Sequence, residues 1–347
     1  MALTKSIIAR LIRETLRPAS YLKLLPIALL LGSGVESSHA TSMTVDRLAA
    51  ERTAAERALM QGQIDEAVLR AQRIAGTNPS DGAAYLLLCR SFYAEAHADE
   101  AIDACARAVQ MLPRSSEAED WLGRAYGMKA ERAGPISGLT LALRVKEAFE
   151  TAVALDPRNG AAANDLSEFY IDAPSIIGGG LDRAAALADR VEPQLPQQAH
   201  RMRALAAEKR KDYGGAEREL KAAVEVANRP DAWADLGMFY RQRGEFDKAV
   251  NALKQCLALD QARDASIVDA ASLLNEMHRE PELAEQALQE YLESNAKSDA
   301  APAVKVYVML GKQLAGEGDK AEAKIEFDKA LAMASGYAPA RQALQKL

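Results

Sequence analysis

The chain has 347 residues, 49% of them apolar and only 5% aromatic, which is more than one hydrophobic core usually serves. Its net charge is −6, with 43 Lys and Arg against 49 Asp and Glu, and that balance excludes a broad phosphate-binding surface and with it nucleic acid as the main partner. Ala and Leu dominate, Pro and Gly are sparse and spaced, and no alternating strand pattern competes, so an all-α chain is expected.

Residues 1–40 begin with Lys5, Arg10, Arg13, Arg17 and Lys23, continue into an apolar run through Leu24, Leu25, Ile27 and Leu29 to Leu31, and end at Ser38-His39-Ala40. Basic, apolar and small-residue regions in that order are those of a secretory signal peptide, and cleavage is expected after Ala40. The mature protein is then periplasmic or secreted. An Arg-bearing, acid-poor leader is also the pattern of a mitochondrial transit peptide, which is the alternative. The apolar run is shorter than the roughly 20 residues of a membrane span, and no Cys follows it to carry a lipid.

From Leu48 onward, apolar and small residues recur at three- and four-residue steps in paired segments, each pair being two amphipathic helices joined by a short break. The first pair runs to Asp81, and Glu51, Arg52, Glu56 and Arg57 make its opening helix polar, as suits a terminal repeat. The second pair, Gly82 to Ser115, carries Tyr85, Leu88, Cys89 and Ala101. The third opens at Leu122-Gly123 and Tyr126 and closes at Phe149 and Ala152, with about ten extra residues, Gly127 to Gly138, predicted to separate its helices. The fourth has Leu166, Phe169 and Tyr170, then an extra segment near 174–178 before Leu181 and Ala184. These two insertions fall at equivalent places and are expected to be neighbours in space. The fifth pair, Gln197 to Arg229, is charged along its first helix.

The sixth pair is the clearest. Pro230 to Asp260 places Trp233, Leu236-Gly237, Tyr240, Ala249 and Leu253 in the spacing W-x2-L-G-x2-Y…A-x3-F, with Leu in the last slot and Arg243-Gly244-Glu245 as the break. Here the chain resembles the tetratricopeptide repeat family. The seventh pair, from Ala265, keeps the period but loses the Gly positions, so it is expected to be the soft point; the eighth is clear again at Tyr307, Leu310-Gly311 and Phe327. Residues 338–347 are expected to form a solvating last helix. A hairpin this short cannot bury its apolar face alone, so the resemblance implies a right-handed α-solenoid over 41–337 whose ends stand apart, and a protein-binding function. A looser likeness to the regulator-of-microtubule-dynamics type of repeat protein covers Gly127 to Pro157 and carries no function across.

By the resemblance, the first helices line a concave groove that binds a protein or peptide. Its lining is expected to include Asp120, Arg124, Asn164, Glu168, Arg201, Glu208, Asp235, Met238 and Arg241, a mixture of signs. The segment Pro174-Ser-Ile176-Ile177-Gly178-Gly179-Gly180 reads first as a sharply turning loop with both isoleucines packed down, second as a hook for a partner, and third as an anion site, against which Asp182 counts. Cys89 and Cys105 face each other across repeat two, either as small core residues, the commoner outcome, or as a bonded pair; Cys256 is alone. The four histidines are scattered, and no nucleophile elbow, Walker loop or C-x-x-C is present, so no metal, cofactor or enzymatic activity is expected.

Overall fold

The computed structural model describes residues 45–347; the leader assigned to residues 1–40 lies outside them. Among the described residues the regular structure is helical, in antiparallel pairs. These are α1 (Val45–Met60) with α2 (Ile64–Thr77), α3 (Gly82–Ala94) with α4 (Ala98–Met111), α5 (Ser116–Ala130) with α6 (Pro135–Leu155), and α7 (Gly160–Asp172) with α8 (Leu181–Val191). They continue with α9 (Pro196–Lys209) and α10 (Tyr213–Ala227), α11 (Pro230–Gln242) and α12 (Phe246–Leu259), α13 (Ala265–Met277) and α14 (Pro281–Glu293), and α15 (Ala303–Glu317) and α16 (Lys320–Met333). A last helix, α17 (Ala338–Lys346), lies against α15 and α16. Each pair packs on the next, and first helices touch first helices along the inner side while second helices lie outside. The chain is an all-α solenoid.

One register position sets how closely each pair approaches. At Gly237 an added Cβ would stand 2.6 Å from Leu253 Cδ2, at Gly123 2.5 Å from the Phe149 ring, and at Gly311 2.5 Å from the Phe327 ring. A side chain there would overpack the pair at about 1–3 kcal/mol. By the same register the pairs in the other repeats are Ala55 with Ala71, Cys89 with Cys105, Ser167 with Ala188, Ala204 with Leu220, and Ala271 with Leu288. In repeat two this closest approach has become covalent: Cys89 and Cys105 form a disulfide with Cα atoms 4.9 Å apart. Of the two alternatives the sequence leaves open, the bonded pair is the one found. The pair stands where the fold already demands small residues at minimal separation, the geometry a disulfide needs. Closing a loop of this length stabilises by about 3 kcal/mol.

The insertion in repeat three also differs from expectation. Only 131–134 connect its helices, and most of the extra residues lengthen α6, so that Phe149 falls two turns later in its helix than Leu253 does in α12. Pro135 at the first turn starts α6 where no N–H is required. In repeat four, Ser175–Ile177 form a short 3-10 turn whose following residue, Gly178, has φ +91° and rests on the aliphatic part of Lys146 from α6. The two departures from regularity do lean on each other.

The far ends of the solenoid touch, contrary to the expectation that they stand apart. Arg90 Nε donates to Asp299 Oδ2 at 2.5 Å, and the Ser335 N–H donates to Asp65 Oδ2 at 3.0 Å. Gly62, at φ +79°, lies so near Ala303 that a Cβ would fall 2.7 Å from that residue's Cβ. Loops entering and leaving repeat eight thus seat on the turns of repeats one and two, and one hydrophobic cluster runs from Ala55 through Trp121 and from Ala234 through Ala340. The superhelix completes a turn and closes on its own opposite edge. Arg90, with a side chain only 10% exposed, is the charge most committed to that closure. Asp299→Lys should open it, read as a larger radius of gyration in small-angle scattering with unchanged helical circular dichroism; an unchanged radius would show that the contact does not hold the ends.

Candidate interaction surfaces

The inner face is stitched by polar contacts between successive first helices. Arg90 on α3 reaches Glu117 on α5 at 3.6 Å, and Arg124 on α5 bonds Asp165 on α7 at 2.7 Å. Arg201 on α9 joins Glu168 on α7 at 2.7 Å to Asp235 on α11 at 3.1 Å. Arg241 on α11 meets Glu276 on α13, and Asn275 on α13 donates to Gln313 on α15 at 2.9 Å. The expected lining residues therefore lie along one face, yet Asp120, Glu168 and Arg201 are buried in these contacts. They shape the groove and do not stand as free charges in it. Met238 is half-buried against the core, and Asn164 keeps a buried Oδ1 with no hydrogen-bond partner.

Sequence reasoning misses Asp165, although Asp165, Glu168 and Asp172 recur at steps of three and four along α7 and pair with Arg124, Arg201 and Lys209 in turn. It misses Asp269 on α13 too; burial pushes the pKa of that carboxyl up. Arg124 is packed over the Trp121 ring at 4.7 Å, and Tyr93 meets the same ring edge-on. Beside them burial raises the pKa of Asp120 from 3.8 to about 7, with Arg124 at 3.1 Å pulling the other way and Asp165 adding to the rise. One of its oxygens has no hydrogen-bond partner, as fits a carboxyl that keeps its proton.

Where the groove has room, it lies between α7 and α9. A cavity of about 180 Å³ is lined by Ile171 and Leu205 with the acidic residues Glu168, Asp172 and Glu208 and the cation Lys209, which pairs with Asp172 at 3.0 Å. Repeats four and seven have the sparsest contact between their helices, and a cavity flanks each of them.

The hook segment separates into two parts. Ile177 is buried, as expected, but Ile176 is 86% exposed, which corrects its expected packing. The N–H groups of Gly178, Gly179 and Gly180 donate to Ser175, Pro174 and Tyr170 carbonyls, so no anion-receiving amides remain there. A Cβ on Gly179 would fall 1.8 Å from the Ala173 oxygen, which explains that glycine as a steric requirement. Ile176 and Ile136, 84% exposed on α6 with Leu139 and Leu143 one and two turns on, make the insertion edge the most apolar part of the exposed surface. Among the described residues no three His, Cys, Asp or Glu are grouped to hold a metal ion, and no helix is long and apolar enough to cross a membrane.

Because Asp120 binds its proton more tightly folded than unfolded, its contribution to stability is full below about pH 4 and is lost as the pH rises through about 7. The melting temperature should fall by a few degrees from pH 5 to pH 8. Asp120→Asn should flatten that slope; a variant with the parent's slope would assign the effect elsewhere.

Tetratricopeptide repeat models match residues 52–116, 230–262 and 304–337. Among solved structures, the chain is similar to a thermophilic tetratricopeptide repeat protein of Thermus thermophilus, at 18% identity over 66% of this chain and 99% of that one, with a TM-score of 0.44. It is also similar to a tetratricopeptide repeat protein of Parabacteroides merdae, at 13% identity over 86% and 97% and a TM-score of 0.43. A third similarity is to a chain of the APC/C hetero-tetramer Cut9-Hcn1, at 12% identity over 90% of this chain and a TM-score of 0.38, of which this chain spans 57%. No curated protein matches the sequence. With eight hairpins in one register and family models matching early, middle and late in the chain, the protein belongs among the tetratricopeptide repeat proteins.

Proposed function

We propose that the protein is an exported, non-enzymatic scaffold that holds a peptide segment of a protein partner on its inner face, between repeats four and five. The observation that carries this is the cavity between α7 and α9. Its apolar floor, Ile171 and Leu205, takes one side chain, and its rim is polar, with Glu168 paired to Arg201 and Asp172 to Lys209. Tetratricopeptide repeats serve as protein-interaction scaffolds, and the titratable groups nearby are engaged in pairs that order the first helices. The Cys89–Cys105 disulfide supports export, because such bonds persist mainly outside the reducing cytosol.

A second reading is favoured by Ile136 and Ile176: a subunit of an envelope complex that binds by the insertion edge. Photo-crosslinkers placed at Glu208 and at Ile176 in the full-length protein, expressed in its own cell, separate the two. The groove reading predicts a defined adduct from position 208, abolished by Leu205→Arg. Adducts from position 176 alone would transfer the function to the edge. The same material, sequenced from its N-terminus, should begin at Thr41; a start still at Met1 would count against export.

A further inference from the structure

A second cavity lies on the opposite side of the molecule from the groove. It is a cleft of about 480 Å³ between the second helices of repeats six and seven, α12 and α14. Its origin is local. Between Ala271 and Ala284 hairpin seven has one residue more than hairpin six has between the equivalent Gly237 and Ala249, so its second helix is not drawn in as tightly as its neighbour's. The floor is apolar, formed by Leu257, Ile267 and Leu283.

The two walls differ in charge. Lys254 and Arg263 stand on the α12 side, and Glu280 and Glu290 on the α14 side. They pair across the cleft, Lys254 with Glu280 at 2.9 Å and Arg263 with Glu290 at 2.7 Å, each side chain about a third to a half exposed. Ion pairs so exposed contribute little, so an occupant can exchange them at small cost. Two lining residues are also held in an uncommon backbone conformation: Arg263 at φ +56° and Glu280 at φ +50° are non-glycine residues in the left-handed region. Arg263 is fixed further by donating to the Leu257 and Asp260 carbonyls. Strain of this kind persists where the surroundings over-determine it, and it often marks binding sites.

We propose that this outer cleft docks one amphipathic helix of a partner protein, its apolar stripe on Leu257, Ile267 and Leu283, an acidic flank against Lys254 and Arg263, and a basic flank against Glu280 and Glu290. Walls made by two neighbouring helices with opposite charges match a helix flanked on both sides by charge, the helix-in-groove mode. The scaffold then has two faces, the inner groove and this outer cleft, and joins two partners. The docking site does not depend on the groove reading.

The test uses the full chain and three fluorescent helical peptides with one apolar stripe, flanked by Glu on one side and Lys on the other, by Lys on both, or by Glu on both, read by fluorescence anisotropy. The mixed peptide should bind about tenfold more tightly than either of the others, in the one direction that sets its Glu flank against Lys254 and Arg263. Lys254→Glu should move the preference to the all-Lys peptide. Leu283→Arg, and Gln286→Trp at the mouth away from the core, should each abolish binding with the melting temperature of the fold retained. Equal binding of the three peptides, no binding, or binding indifferent to all three substitutions overturns the proposal. Binding lost in Glu208→Lys and kept in Leu283→Arg would place the peptide in the inner groove, so that this proposal fails while the groove reading stands.

Discussion

The distance between paired helices at one position is the constraint on which the rest depends. Where the first helix offers Gly, as at Gly123, Gly237 and Gly311, the second supplies Phe149, Leu253 or Phe327 to fill the space. In repeats one and two both sides are small, Ala with Ala and Cys with Cys, while Ala204 and Ala271 face Leu220 and Leu288. This is volume complementarity across a close-packed contact, where one added methyl group is felt. Repeat two carries it furthest by fusing the contact into a bond, and the hairpins of repeats four and seven are the least closely packed. The relaxed hairpins are also the ones beside which the molecule has room for another molecule.

Charge plays a different part. The inner face joins successive first helices through Arg90, Arg124, Arg201 and Arg241, each reaching a carboxylate on a neighbouring helix. Apolar packing between repeats has little directional preference, whereas the forked guanidinium fixes the relative placement of two helices. Such bridges contribute modestly to stability and more to geometry. Curvature summed over eight repeats then brings Asp299 to Arg90 and Ala303 to Gly62. Closure gives this solenoid contacts distant in sequence that an open one lacks, and joins its first and last repeats in one core.

Much of this architecture is legible in the chain. The W-x2-L-G-x2-Y spacing at Trp233 and its echoes at Leu122-Gly123 and Leu310-Gly311 announce hairpins, because the period of an α-helix places those residues on one face. The facing of Cys89 and Cys105 is visible for the same reason; that they bond is not, since bonding depends on a Cα distance fixed by packing. The lengthening of α6 escapes the sequence because Gly127, Gly134 and Gly138 look like loop punctuation, yet Gly127 and Gly138 lie within helices where burial offsets their cost. The groove residues fall on the expected face, but their mutual pairing hangs on Asp165, Glu276 and other partners one repeat away. The Arg90–Asp299 contact spans 209 positions, and no local pattern encodes it.

Amide hydrogen exchange followed residue by residue tests most directly whether each hairpin depends on its own internal contact and on its neighbours. Protection should be graded along the chain: strongest in repeat two, where the disulfide holds the pair, and weakest in repeats four and seven, whose paired helices touch least. Equal protection in all eight repeats, reporting one indivisible unfolding unit, would contradict the account.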